Sequence, residues 1–231
     1  MNSWASEVIA EPRDMQKTGD ESIIDGVMSG LIRQNDTAEE RFVPKLISNQ
    51  PGSTMGDAIR EELKGSESFD ISVAFVSENA LKSMYQAFVD HAKKSRKRII
   101  TSTKNYFNSP KAFKELMKLQ RDANMEVLIW EHGDSGESGG TIAQDQLFHP
   151  KGYLFTRRME EGRAYYNLYV GSSNLTSFAL QNQREWNLRV SSTSEAQLIQ
   201  QVKEELADQV RQSVPLTDEW LAQYEEEFKN Y

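Results

Sequence analysis

Residues 149–185 read HPKGYLFTRRMEEGRAYYNLYVGSSNLTSFALQNQRE, and the rest of the chain is organised around them. The spacing predicts a hairpin: GYLFTRR runs in, EEGR turns, and AYYNLYV runs out to end in GSSN. His149 and Lys151, two apart on a strand, point to the same side of a sheet. Gly171 lets the backbone approach a ligand closely, and Ser172 and Asn174 supply polar groups where the strand stops. One strand pair thereby carries an imidazole, an ammonium, a hydroxyl and a carboxamide toward one point. Such a set suits a phosphodiester: a nucleophile or acid, a fixed positive charge, and neutral donors for non-bridging oxygens. Each residue also has a plain structural use. His149-Pro150-Lys151 can be a surface turn, Asn174 can cap the helix beginning LTSFAL, and Glu185 can be a solvated strand-edge carboxylate.

Upstream, elements alternate. TMGDAIREELKGSES reads as a helix with Met55, Ile59 and Leu63 four apart and Gly65 as its stop. FDISVAFV, KRIITST and MEVLIWE are near-continuous apolar runs, as expected of strands covered on both faces. Between them lie the helical patterns NALKSMYQAFVDHAKK and SPKAFKELMKLQRDA, the latter with Ser109 at N-cap and Pro110 at N1. The β-α-β-α-β order predicts an α/β fold: a mixed, mostly parallel sheet flanked by helices on both faces, with a helical C-terminal end. Downstream come a short helix LTSFALQN and the strand EWNLRVSS. An amphipathic helix follows with Leu198, Ile199, Val202, Leu206 and Val210 on one face, then a last helix after Pro215 capped by Thr217 or Asp218. The expected domains are an N-terminal arm or short helix at 1–40, the main domain at 41–213 and a C-terminal helix at 214–231. HGDSGESGGTIAQDQ, just before the motif, reads as a loop able to reach over the site, with His132 and Asp134 as candidate contacts.

Composition narrows the classes. The 231 residues carry 27% charge, and no apolar run is long enough to cross a membrane. There is no cysteine, which removes disulfides and thiolate chemistry and fits a cytoplasmic chain. Three histidines leave little for a His-rich metal site, so no metal and no cofactor are expected. The net charge of −8 argues against a surface that coats nucleic acid generally. Local basic clusters remain candidates for phosphate contact: residues 93–98, then Lys104, Lys111, Lys114, Lys118 and Arg121, then Arg157, Arg158 and Arg163. Tyr153, Phe155, Tyr165, Tyr166 and Tyr169 can stack on bases or fill the core.

His149-Pro150-Lys151 with Gly171-Ser172-Ser173-Asn174 resembles the phospholipase D superfamily signature, H-x-K followed by G-S-x-N. The usual Asp five residues after the Lys is Thr156 here, and the link to the second block is longer by the hairpin turn. The chain is similar to the nuclease branch in which a downstream Glu, here Glu185, replaces that Asp. That branch includes metal-independent restriction endonucleases and the amino-terminal domains of bacterial superfamily II helicases. FVPKLISNQ, FDISVAFVSENAL, FHPKGYLF, VGSSNLT and EWNLRV fall in the order of the helicase-associated group, over roughly residues 42–231.

The resemblance implies a metal-independent DNA phosphodiesterase, in a restriction or antiviral defence setting, with a helicase domain or subunit as partner. It implies His149, Lys151, Asn174 and Glu185 as catalytic, with Gly171, Ser172 and Ser173 binding substrate. A single motif copy implies a homodimer that pairs two His149 side chains. Two other readings stand beside it: a DNA-binding or targeting module of the same fold without turnover, and a lipid phosphodiesterase.

Overall fold

A computed structural model describes residues 40–91, 95–130, 148–160 and 162–231. The chain divides into two units, residues 1–43 and 44–231. Of the first, residues 40–43 are described and include a 3-10 turn, Glu40–Phe42. The expected N-terminal helix, the loop with His132 and Asp134, and Lys93 and Lys94 lie outside the described residues.

Among the described residues the second unit holds one eight-stranded sheet. Its strands are β1 (Lys45–Ile47), β2 (Ser68–Val73), β3 (Lys97–Ser102), β4 (Glu126–Trp130), β5 (Lys151–Arg158), β6 (Ala164–Gly171), β7 (Asn187–Thr193) and β8 (Val214–Pro215). Their spatial order is β1-β7-β6-β5-β2-β3-β4-β8. The helices are α1 (Met55–Gly65), α2 (Glu78–Asp90), α3 (Pro110–Asp122), α4 (Gln197–Arg211) and α5 (Asp218–Asn230). Side-chain oxygens of Thr54, Ser77, Ser109 and Thr217 cap the helices they precede, each satisfying a backbone donor that the helix itself leaves unpaired.

The α/β class and the flanking helices are as expected, but the sheet is mostly antiparallel rather than mostly parallel. Only β2/β3 and β3/β4 run parallel, which is the portion built from β-α-β-α-β. The motif strand β5 joins the other side of β2 antiparallel. β6 follows through a short turn and β7 through residues 172–186, and each pairs antiparallel with the strand before it. The hairpin forms from the two expected runs, closing at Arg158↔Ala164.

One core cluster packs α1, α2 and α3 against the sheet and includes Leu221 and Tyr224 of α5. The other joins Ala74, Ile100, Leu128, Leu154 and Leu168 to Ile199 and Leu206 of α4. Leu198, expected on the buried face of α4, is instead exposed. Tyr153, Phe155, Tyr165 and Tyr169 are buried, so these aromatics fill the core and are not surfaces for bases. Five of the described candidate basic residues are also engaged within the fold. Arg96 and Arg98 pair with buried Asp70 at 2.6 and 3.5 Å. Lys97 is buried. Arg157 pairs with buried Glu62 at 3.2 Å and Arg158 with Glu67 at 2.7 Å.

Candidate active site

The site forms where β2 runs past its last ladder residue. The strip Ala74–Val76 lies between the two halves of the motif. On one side Ala74 N–H donates to Pro150 O at 3.1 Å. On the other, Leu175 N–H donates to Phe75 O at 3.1 Å, Ser77 N–H donates to Leu175 O at 3.0 Å, and Val76 and Leu175 form a parallel bridge. His-Pro-Lys and Gly-Ser-Ser-Asn therefore meet across a shared three-residue backbone strip.

Lys151 Nζ lies 3.0 Å from Nδ1 and 3.2 Å from Nε2 of His149, and donates to the His149 carbonyl at 3.2 Å. An ammonium has no acceptor, so its approach to a ring nitrogen favours the neutral imidazole. Partial burial, then the charges of Lys151 and Lys104, hold the His149 pKa below its ordinary value. Burial and Lys104 likewise depress Lys151, against an opposing contribution from Glu185. Phe75 meets the His149 ring edge-on at 5.6 Å, and Phe107 meets Phe75 edge-on at 4.9 Å. The imidazole is thus exposed at one edge and shielded at another.

Asn174 does not cap the turn that follows it. That turn is a single π-type turn, Phe178–Asn182, without a side-chain cap. Asn174 Oδ1 accepts instead from Phe75 N–H at 3.2 Å, and among the described residues no acceptor takes its Nδ2. Ser172 is exposed and donates its hydroxyl to Glu185. Its backbone N–H donates to Trp186 O, and its Oγ accepts from Trp186 N–H, both at 3.1 Å. Glu185 sits just before β7, oriented by Ser172. Among the described residues the His149 ring hydrogen-bonds only with Lys151, so Glu185 does not reach it in this arrangement.

Ser173 is turned inward. It is fully buried, its Oγ donates to Ala179 O at 3.1 Å, and it accepts from Asn187 Nδ2 at 2.8 Å. That leaves it to shape the loop and not to touch a ligand. Gly171 does serve a close approach, but to its own neighbour strand: a Cβ there would lie 2.1 Å from Trp186 O and 2.6 Å from Asn187 Cα.

A family model described as "Cardiolipin synthase, PLD-like domain" matches residues 59–209. The chain belongs to this PLD-like family. Two solved structures share its fold. Nuc from Salmonella typhimurium, described as a phospholipase D family member, is 14% identical over 74% of this chain and 96% of that one, with a TM-score of 0.52. NucT from Helicobacter pylori is 16% identical over 74% of this chain and 98% of that one, with a TM-score of 0.51. Comparison with curated proteins finds no match.

Beyond the PLD-like signature, the structure adds residues that the motif did not single out. Lys104 opens the turn after β3, and Phe75, backed by Phe107, walls the imidazole. The signal was available in KNYFNSP, an irregular Asn-bearing stretch at the C-terminal end of a strand, where open α/β sheets gather ligands. Asn105 and Tyr106 adopt positive φ of 48° and 53° there.

Lys104→Ala is expected to raise the His149 pKa. Removing a nearby cation makes the imidazolium less unfavourable, so the ring titrates at higher pH. An NMR titration of the imidazole signals checks this, and an unmoved midpoint would separate Lys104 from the site.

Proposed function

We propose that the protein is a metal-independent phosphodiesterase that cleaves DNA through a phosphohistidine in a homodimeric site. The observation that supports this best is the pairing of His149 and Lys151 beside Asn174: Pro150, between the first two, and Asn174 both bond to the strip Ala74–Val76, and the Phe75 ring of that strip meets His149. A neutral imidazole is the nucleophilic form, and the geometry around His149 favours it. In the first step a ring nitrogen of His149 bonds to phosphorus as the P–O bond to the leaving group breaks. The leaving oxygen takes a proton from the partner subunit's His149. Water then attacks phosphorus as the P–N bond breaks and gives a proton to the partner subunit's His149. Lys151 and Asn174 Nδ2 stabilise the non-bridging oxygens. Ser172 holds Glu185, which tempers the positive charge of Lys151. The nuclease names of Nuc and NucT support nucleic acid as substrate over lipid.

The second copy has a surface to meet. Leu46, Leu188 and Val170 face each other in register across β1, β7 and β6 and are 58%, 46% and 52% exposed. Trp186, beside Glu185, is 73% exposed. An apolar row of this kind beside a site with one histidine fits a homodimer contact. Leu188→Glu is expected to give monomers by light scattering and to lose most turnover. A monomeric wild type would overturn the dimer.

The function is tested by DNA cleavage in EDTA: it persists in the native protein and requires His149, whereas EDTA-sensitive cleavage would overturn the metal-free mechanism. One observation favours a second reading. Glu185 engages Ser172 and not His149, as in a DNA-binding or targeting module of the same fold with weak turnover. Undiminished DNA affinity without cleavage under any condition would select it. The helicase partner and the defence setting are proposed on the resemblance alone.

A further inference from the structure

Beneath the strip that joins the motif halves lies Asn108, 1% exposed. Its Oδ1 accepts from Val76 N–H at 2.8 Å. Its Nδ2 donates to Ala74 O at 3.0 Å, Ser102 O at 2.7 Å and Thr101 Oγ1 at 3.1 Å. Thr101 and Ser102 hydroxyls also donate to Ala74 O, at 3.2 and 3.1 Å. Asn108 thus holds the two backbone groups on either side of Phe75. The remaining polar groups of Ala74 and Phe75 bond to the motif: Ala74 N–H to Pro150 O, Phe75 N–H to Asn174 Oδ1, and Phe75 O from Leu175 N–H. Among the described residues Asn108 is the one side chain that bonds to both Ala74 and Val76, the two ends of a segment that touches His149 and Asn174.

Asn108 is itself held from the far end of the chain. Tyr224 OH in α5 donates to Asn108 O at 2.7 Å. The Tyr224 ring lies 5.7 Å from Tyr106, and Tyr106 also meets Phe228 at 6.0 Å and Tyr231 at 4.5 Å. The positive-φ backbone at Asn105 and Tyr106 is costly for these residues, so the turn needs outside contacts to persist. α5 supplies them.

We infer that Asn108 is a positioning residue for His149 and Asn174, acting through the strip Ala74–Val76, and that α5 sets Asn108 through Tyr224. The inference rests on the proposed role of His149, and it makes the C-terminal helix part of the active-site scaffold. A buried amide with both its acceptor and its donors engaged fixes a segment in two directions, which an apolar side chain of the same size cannot do. If the strip shifts, Phe75 leaves the edge of the imidazole and Asn174 loses its anchor.

The test uses the full chain with Asn108→Asp, Asn108→Ala and Tyr224→Phe. Asn108→Asp keeps the acceptor for Val76 N–H and loses the donors. The first readout is the NMR titration of His149, which does not require turnover. The described charged groups near that ring are Lys151, Lys104 and, through Ser172, Glu185; Asn108→Ala and Tyr224→Phe alter none of them and carry this readout, whereas Asn108→Asp adds a carboxylate that would raise the midpoint by its charge alone and is read by kcat only. Loosening Phe75 rehydrates the ring, so the midpoint moves up toward the ordinary imidazole value. The second readout is steady-state hydrolysis of a chromogenic nucleotide diester. There kcat is expected to fall by roughly 10- to 100-fold with KM changed less than about threefold, the pattern of a group misplaced in the transition state. Tyr224→Phe is expected to show a smaller change in the same direction.

An unmoved His149 midpoint in the folded variants that carry that readout overturns the inference, and so does a fall in kcat that only tracks lost thermal stability. If the Asn108 variants do not fold, Tyr224→Phe decides alone. If the wild type shows no hydrolysis, the proposed function fails, while the titration still accepts or rejects the positioning role.

Discussion

His149→Ala is expected to lower DNA cleavage in EDTA by on the order of 10⁴-fold or more, with binding of DNA changed little. In the proposed mechanism the imidazole both bonds to phosphorus in one subunit and donates the proton in the other, so a single substitution removes both roles. Lys151 and Asn174 remain and still offer charge and a donor to a phosphate, which is why affinity survives. The same residue predicts the pH profile of the wild type. A nucleophilic imidazole must be neutral, and burial with Lys151 and Lys104 holds its pKa below the ordinary value. Activity is therefore lost on acidification as pH falls through that depressed pKa, below where an unperturbed histidine would titrate, and lost again as pH rises and the proton-donating imidazolium of the proposed mechanism deprotonates. Initial rates across pH, with the alanine variant as baseline, measure both effects. A variant that cleaves within tenfold of wild type would remove His149 from the chemistry.

Gly171→Ala is expected to produce the largest loss of stability of any single methyl addition near the site. The new Cβ would lie 2.1 Å from Trp186 O and 2.6 Å from Asn187 Cα. These are backbone atoms of the paired strand, in the register Gly171↔Asn187, so no side chain can swing away to make room. β6 and β7 must separate, at a cost of about 2–4 kcal/mol. The separation would also pull Ser172 from Trp186 and Glu185, so stability and site geometry fail together. Gly152→Ala is the control. Nothing lies within 4 Å of a Cβ there, and its effect on urea unfolding should be under about 1 kcal/mol in either direction. Equal effects at the two positions would show that the β6–β7 approach is not what Gly171 serves.

Much of this molecule was legible before any coordinates. The hairpin is legible in two strand-like runs around EEGR, and these two runs pair antiparallel. Ser109-Pro110 and Thr217 marked helix starts through local hydrogen-bond needs that neighbours in sequence satisfy. The pairing of His149 with Lys151 followed from their two-residue spacing. Other expectations failed for reasons of distance. Ser173 and Ser172 are adjacent and chemically alike, yet one is buried against Ala179 and Asn187 while the other faces Glu185. Leu198 obeys the helical period of α4 but falls at the margin of what the sheet covers. Arg96, Arg98 and Arg157 read as a basic surface until buried Asp70 and Glu62 are seen beneath them.

The sequence by itself determined the strands and helices, the chemistry of the two motif blocks and the fold class, because these depend on periodicity, capping and residue type within short windows. Only the tertiary structure decided that the sheet is mostly antiparallel, that Glu185 is held by Ser172, and that Lys104, Phe75 and Asn108 belong to the site. Those outcomes depend on which strands lie side by side and on contacts between residues 27 to 137 positions apart, such as Thr101 with Ala74 and Ser72 with Gln209. Local pattern carries no information about such meetings, whereas burial and hydrogen-bond satisfaction across the whole sheet do.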